Sequence, residues 1–307
     1  MSQAPTVSVI IPSYNDLDNL LICLEALSRQ TFPQQCMEII VVDDGSTDLT
    51  AEAVRRIYPG VRLIQKPHTG VDHSRGAGIR AARGSVVAFT DADCSPDPDW
   101  LSQIVHDTYS RGYEVVGGRV MFPSVFLARL IGATDFPAYL SSIEREIDRM
   151  AGLNWAVRRD LLVQHGFDWR LRGGGDVLLT WELCRAGHRI LYDPKVVVTH
   201  RPRLALSSFL ERKRRYMRNF IQTRRVRPDM PGGWLLRLGP LGALVVILAR
   251  SALDLYRVRR HWAFLSLRLH EIPLALLLVT AGRMYSLTGV FDGWMGKTAS
   301  KGDKPRD

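Results

Sequence analysis

The chain has 307 residues, 46% of them hydrophobic, and 41 Lys and Arg against 31 Asp and Glu give a net charge of +10. That length and apolar content allow a real core, in one large domain or in one domain with an appendage. The four cysteines (Cys23, Cys36, Cys94 and Cys184) lack any CxxC or Cys/His spacing, so neither a zinc site nor a disulfide framework is suggested, and a reducing, cytoplasmic setting is expected.

The N-terminal MSQAPTVSVIIPSYND lacks a basic segment and enters a strand pattern almost at once, so no signal peptide is expected. VSVIIP (7–12) reads as a buried strand, and LDNLLICLEALSRQ (17–30) carries apolar residues at helical spacing. MEIIVVDD (37–44) predicts a second strand and DLTAEAVRRIY (48–58) a second helix, with Ser46, Thr47 and Asp48 as candidate caps. VRLIQ, SVVAFT and YEVVGG continue the series. Unbroken Val/Ile strands alternating with helices imply an α/β fold whose sheet is mixed, mostly parallel and flanked by helices.

In such open sheets ligands bind beyond the carboxyl ends of the strands. Polar groups stand at three of those ends: Pro12-Ser13-Tyr14-Asn15, Asp43-Asp44-Gly45-Ser46 and Asp91-Ala92-Asp93. The last of these lies where strand formers meet a proline-rich turn. Its carboxylates are hard oxygen ligands of the kind that join Mg2+ or Mn2+ to substrate phosphates. Alone, such a pair also fits a solvated turn.

GAGIRA, from Gly76 to Ala81, matches a dinucleotide-binding fingerprint in form. The fingerprint needs a strand directly before it, whereas KPHTGVDHSR (66–75) reads as turn, so a dehydrogenase is rejected. From Arg201 to Arg227 ten Arg or Lys face one acid, Glu211, a run that attracts phosphates or anionic lipid. Phe209, Tyr216 and Phe220 interleave with it, as a nucleic-acid-binding module would require. Nothing in the first 200 residues serves that purpose, and no nucleic-acid partner is expected. Apolar runs follow at 238–249 and 272–282, of 12 and 11 residues, short of the roughly 20 that span a bilayer. They suit interfacial or re-entrant attachment. The tail KTASKGDKPRD (297–307) has a disordered composition.

VSVIIPSYND, IIVVDDGSTD and FTDADCSPDPDWL, in that order and at that spacing, resemble the nucleotide-sugar half of the family 2 glycosyltransferases, inverting enzymes of GT-A type. The resemblance continues through TGVDHSRGAGIRAARGSVVAFTDAD and GLNWAVRRDLLVQHGFDWRLRGGGDVLLTWELCRAGHRILYDPKVVVTHRPR and covers roughly residues 7–203. It implies that Pro12, Ser13 and Tyr14 contact the nucleotide, that Asp44 recognises the base, that Arg75 approaches the nucleotide and that Asp91 meets the ribose side. Asp93 would ligate the metal, Mg2+ or Mn2+, with His200 near it or near the diphosphate. Asp176 falls at the place of the base that deprotonates the acceptor, although Gly175 stands where the family usually has glutamate. That departure leaves open a catalytically inactive relative acting as a subunit, and a capping role for Asp176. The Gly-rich RLRGGGD (170–176) would let backbone approach a sugar. Arg215-Tyr216 resembles the Arg-Trp of a processive element but lacks its glutamine.

The expected organisation is a nucleotide-diphospho-sugar transferase catalytic domain over 1–203, with a nucleotide-sugar half to about 119 and an acceptor half over 120–203, then a basic and apolar helical region over 204–307. The expected donor is a UDP- or dTDP-sugar, and the acceptor a glycan or lipid-linked intermediate at the cytoplasmic face of the cell membrane.

Overall fold

The computed structural model describes residues 6–150, 152–167, 171, 173–261 and 271–295; the tail 297–307 and part of the 170–176 run lie outside these. The first strands are β1 (Val7–Ser13), β2 (Met37–Asp43), β3 (Arg62–Gln65) and β4 (Val86–Thr90). After them come β5 (Cys94–Pro96), β6 (Val115–Met121), β7 (Arg145–Glu146), β8 (Asn154–Arg158) and β9 (Ile190–His200). Among the described residues these nine form one mixed sheet in the order β3-β2-β1-β4-β8-β6-β9-β5, with β7 on β9.

The half β3-β2-β1-β4 is wholly parallel. Its runs of Val and Ile follow from burial on both faces: every residue of β1 and of β4 is buried. The crossovers are helices α1 (Leu17–Ser28), α2 (Thr50–Ile57) and α3 (Val71–Ala81). α1 buries Leu20, Cys23, Leu24 and Leu27, one stripe at helical spacing. Antiparallel pairing enters where β8 is inserted between β4 and β6. There Trp155 of β8 stacks on Phe89 of β4 with ring centroids 4.6 Å apart, in a core that also holds Ile10, Ile40, Val87 and Tyr192.

Two local readings change. α2 begins at Thr50, whose amide donates to Asp48 Oδ1 at 3.1 Å, so of the three candidate caps only Asp48 touches the helix start. Ser46 Oγ instead accepts the Asn15 amide at 2.9 Å, and the Thr47 amide donates to Asn15 Oδ1 at 2.8 Å. These contacts tie the carboxyl end of β1 to that of β2. Secondly, residues 71–75 are helical, which puts Gly76 and Gly78 inside α3 and leaves no strand-turn-helix for a dinucleotide fingerprint.

Helix α4 (Trp100–Tyr109) carries a buried acid pair with β9. Gln103 Nε2 donates to Asp107 Oδ1 at 3.2 Å and to Asp193 Oδ2 at 2.9 Å. Burial first, then repulsion from Asp193, pushes the Asp107 carboxyl up from its ordinary 3.8 to about 6, against the pull of Arg111 3.0 Å away. An acid raised in the folded state holds its proton there after the unfolded chain has lost it. Stability is therefore highest at low pH with respect to this group and falls as pH rises from about 4 through about 6. Asp107→Asn is expected to flatten that fall and to gain up to about 2 kcal/mol at pH 7 with no gain at pH 4, measured by thermal denaturation across the range.

The chain divides into two compact units, Met1–Pro123 with Ala138–Arg201, and Ser124–Pro137 with Pro202–Asp307. The first holds the sheet together with α6 (Arg159–His165) and α7 (Gly175–Arg185). The second contains α5 (Phe126–Asp135), α8 (Leu206–Val226), α9 (Gly239–Arg260) and α10 (Glu271–Met295), so segment 124–137 groups with the C-terminal helices. Within the second unit Leu130, Ala133, Val258, Ala275 and Val279 form an apolar cluster. The short apolar runs of the sequence are the N-terminal parts of longer helices. Arg283, which interrupts the second run, is buried with its Nε 2.7 Å from Asp254 Oδ2, and Lys213 Nζ donates to Thr134 Oγ1 at 2.9 Å beside Asp135. With those charges paired internally, the 24 residues Glu271–Trp294 are long and apolar enough to cross a membrane by length and composition.

Candidate active site

The carboxyl ends of β1, β2 and β4 deliver the polar groups that the sequence placed there. Pro12 and Ser13 end β1 and are buried, whereas Tyr14 is 43% exposed and stacks on His68 with centroids 4.1 Å apart. Asp44 is buried, and its own amide donates to Ser13 O at 2.8 Å. Its carboxylate accepts the Thr69 and Gly70 amides at 3.0 and 2.9 Å, with Lys66 Nζ on Oδ1 and His68 Nδ1 3.0 Å from Oδ2. Burial alone would raise this carboxyl. The hydrogen bonds from Lys66 and the two amides outweigh it and hold the group below the usual carboxylate range. Lys66 and His68 are thus members of this corner that no motif in the sequence marks.

Arg75 lies at the centre. It reaches the interior from α3 because Gly152 has no side chain: a Cβ there would stand 2.4 Å from Nη2. Nη2 donates to Asp91 Oδ1 at 2.8 Å and to the Gly152 carbonyl at 3.2 Å, while Nη1 faces Asp72 Oδ1 at 3.6 Å and Asp176 Oδ2 at 3.9 Å. Burial alone would pull the guanidinium down, but Asp91, Asp176 and Asp72 together lift it above its usual range, so it stays charged. One cation therefore gathers carboxylates from α3, from the turn after β4 and from the start of α7.

Asp93 stands two residues beyond Asp91 in the turn into β5. That strand pairs antiparallel with β9 so that Cys94 lies opposite His200. The register brings His200 Nε2 to 3.1 Å from Asp93 Oδ2, and the Arg201 amide donates to the Asp93 carbonyl at 2.8 Å. His200 is buried, with the Phe122 ring edge-on to it at 5.5 Å, while the Asp93 side chain remains 25% exposed. Asp91 is enclosed but still 31% accessible at its side chain; burial and then its neighbour Asp93 push it up, partly opposed by Arg75. Among the described residues no group of three His, Cys, Asp or Glu forms a ready metal cage. Asp93 with His200 beside it does suit a hard cation that keeps water and takes its remaining ligands from a diphosphate.

Asp176 occupies the first turn of α7 and makes no side-chain cap of it. The helix start is held from outside: the Gly175 amide donates to Asp72 Oδ2 at 2.8 Å. A capping role for Asp176 is thereby answered, since Asp72 takes that amide.

Residues 8–162 match the model of the glycosyl transferase family 2. Glycosyltransferase AglE of Haloferax volcanii is 34% identical over 208 residues, which are 65% of this chain and 68% of AglE. Succinoglycan biosynthesis protein ExoO of Rhizobium meliloti is 30% identical over 63% of this chain and 60% of its own length. Among solved structures, the mannosyltransferase PcManGT of Pyrobaculum calidifontis, in complex with GDP-Man and Mn2+, superposes with a TM-score of 0.64 at 22% identity, covering 96% of this chain and 89% of that one. TarS 1-349 of S. aureus gives a TM-score of 0.53 at 18% identity, covering 95% of this chain and 92% of the TarS chain. The matched segment begins in β1 and runs past Arg75, Asp91 and Asp93 into α6, whereas Asp176 and His200 lie beyond it. This protein belongs to glycosyl transferase family 2 and is a glycosyltransferase.

Proposed function

We propose that the protein moves a sugar from a nucleoside-diphosphate sugar to an acceptor hydroxyl with inversion, using Asp176 as the base and Asp93 with His200 to hold Mg2+ or Mn2+. The observation that carries this reading is Arg75, which brings Asp176 and Asp91 onto one guanidinium, two residues from Asp93. When bound, the cation would offset the charge that gathers on the departing diphosphate. The remaining work belongs to the chain. Asp176 takes the proton of the attacking hydroxyl as its oxygen forms the bond to the anomeric carbon; the bond to the diphosphate breaks on the opposite face, releasing a nucleoside diphosphate. Pro12, Ser13, Tyr14, Asp44, Arg75 and Asp91 make the donor side. In this arrangement the exposed Tyr14–His68 pair offers the base a stacking face, and Arg75 acts on the nucleotide by fixing Asp91.

PcManGT was solved with GDP-Man, and the TarS fold also occurs in complex with UDP, so the donor panel has to span both bases. A thermal-shift screen of GDP-mannose, UDP-sugars and dTDP-sugars, each with and without Mn2+, is expected to give one series whose stabilisation requires the metal. No metal-dependent shift with any of them would overturn the reading.

The second unit supports attachment to a membrane on its cytoplasmic face and a lipid-linked or cell-envelope glycan as acceptor. α8 carries most of the basic run, with Arg212, Lys213 and Arg224 turned inward, and the apolar side chains Leu248 of α9 and Leu277 and Phe291 of α10 are 60%, 64% and 71% exposed. Exposed apolar helices beside a polycationic one match the chemistry of an anionic bilayer surface.

A further inference from the structure

We infer that Asp72 is a positioning residue for the transfer step, a second carboxylate supplied from α3 that sets where Asp176 stands; this rests on the reading of Asp176 as the base. Asp72 is fully buried, in the first turn of α3, and no ligand-facing motif includes it. Its two oxygens act on two different parts of the site. Oδ2 accepts the Gly175 amide at 2.8 Å, across 103 residues of sequence, and so fixes the backbone one residue before Asp176. Oδ1 stands 3.6 Å from Arg75 Nη1, the same nitrogen that lies 3.9 Å from Asp176 Oδ2.

The second contact matters as much as the first. Arg75 is a buried cation whose Nη2 is bonded to Asp91 and the Gly152 carbonyl. Its Nη1 is shared between Asp72 and Asp176, at nearly equal distance and beyond hydrogen-bond length from either. With Asp72 neutral, that nitrogen would face one anion in place of two and close onto Asp176. A base locked in a bidentate or short ion pair has its lone pair tied up when the acceptor hydroxyl arrives. Asp72 thus keeps Asp176 near the cation but not captured by it.

Gly175 belongs to the same device. A Cβ at this position would lie 3.0 Å from Asp72 Oδ2 and 3.0 Å from Phe167 Cε1. Any side chain at 175 would press on the carboxylate that holds the helix start. The glycine and Asp72 therefore go together: the carboxylate enters from α3, and α7 gives it room.

The test uses the whole 307-residue chain and the nucleotide sugar that the thermal-shift screen singles out, with water standing in for the acceptor and nucleoside diphosphate release as the readout. Asp72→Ala is expected to lower kcat by roughly 10–100-fold, the scale of a reacting group displaced by about 1 Å, with the donor KM within about threefold of the parent. Asp72→Asn keeps the shape and an oxygen for the Gly175 amide but drops the charge, and it decides the matter where the alanine variant does not fold. It should melt with the parent yet still lose kcat. In an Asp176→Asn background, Asp72→Asn should change the residual rate by less than about threefold, because a group that acts through Asp176 has nothing left to position. A parent-like kcat in Asp72→Asn, or a full further loss in the Asp176→Asn background, overturns the inference. If Asp176→Asn itself keeps the parent rate, it is the base assignment that fails, and the two results are read from separate proteins.

Discussion

Asp93→Asn is expected to abolish metal-dependent donor binding and to lower transfer by about 100–1000-fold, the effect of losing several kcal/mol of charge stabilisation at the departing diphosphate. The geometry makes this substitution unusually clean. The main chain at Asp93 is fixed by its carbonyl, which accepts the Arg201 amide at 2.8 Å, and by the pairing of Cys94 with His200, neither of which involves the carboxylate. Asparagine keeps the size and an oxygen near His200 Nε2, now 3.1 Å from Oδ2, but removes the negative charge that a hard divalent ion seeks. The melting temperature without ligand should stay close to the parent, and the Mn2+-dependent stabilisation by GDP or UDP should disappear. A variant that retains this stabilisation would move the metal away from Asp93.

How much of this arrangement the sequence discloses depends on the range over which each contact acts. The ends of β1, β2 and β4 are legible because a strand buried on both faces writes itself as a Val/Ile run, and the polar residues that follow must lie at the sheet edge. Asp91, Asp93 and Asp44 are read that way. Asp176 is legible only through its family pattern, since nothing local separates it from an ordinary acidic residue in a helix's first turn. Asp72 and Gly152 are not legible at all: one meets Gly175 over 103 positions, and the other matters solely because Arg75 passes where its side chain would be. The same limit explains the C-terminal helices. Arg283 looks like the end of an apolar run until it is found against Asp254, 29 residues away, and the helix then continues on both sides of it. The segment around α5, which the sequence groups with the acceptor half, carries Asp135 and Thr134 to Lys213 of α8, a contact that makes sense of a buried lysine only in three dimensions.

Asp176→Asn is the complementary experiment, expected to leave Mn2+-dependent donor binding within about twofold while kcat falls by roughly 100- to 10,000-fold, the range that a positioned general base contributes. The side chain is about one-tenth exposed and stands 3.9 Å from Arg75 Nη1, so the amide fits the same space. What it cannot do is accept the acceptor's proton. The donor corner at Tyr14, Asp44 and His68 is built from β1, β2 and the loop after β3, and it shares no hydrogen bond with Asp176 among those described. Binding and turnover should therefore separate: Asp93→Asn takes both, Asp176→Asn takes turnover alone. Isothermal titration of GDP and UDP with Mn2+, set beside single-turnover rates, would tell them apart. Full turnover in Asp176→Asn would require another group to take the proton, and Asp72, buried and already bonded to the Gly175 amide, is poorly placed to do so.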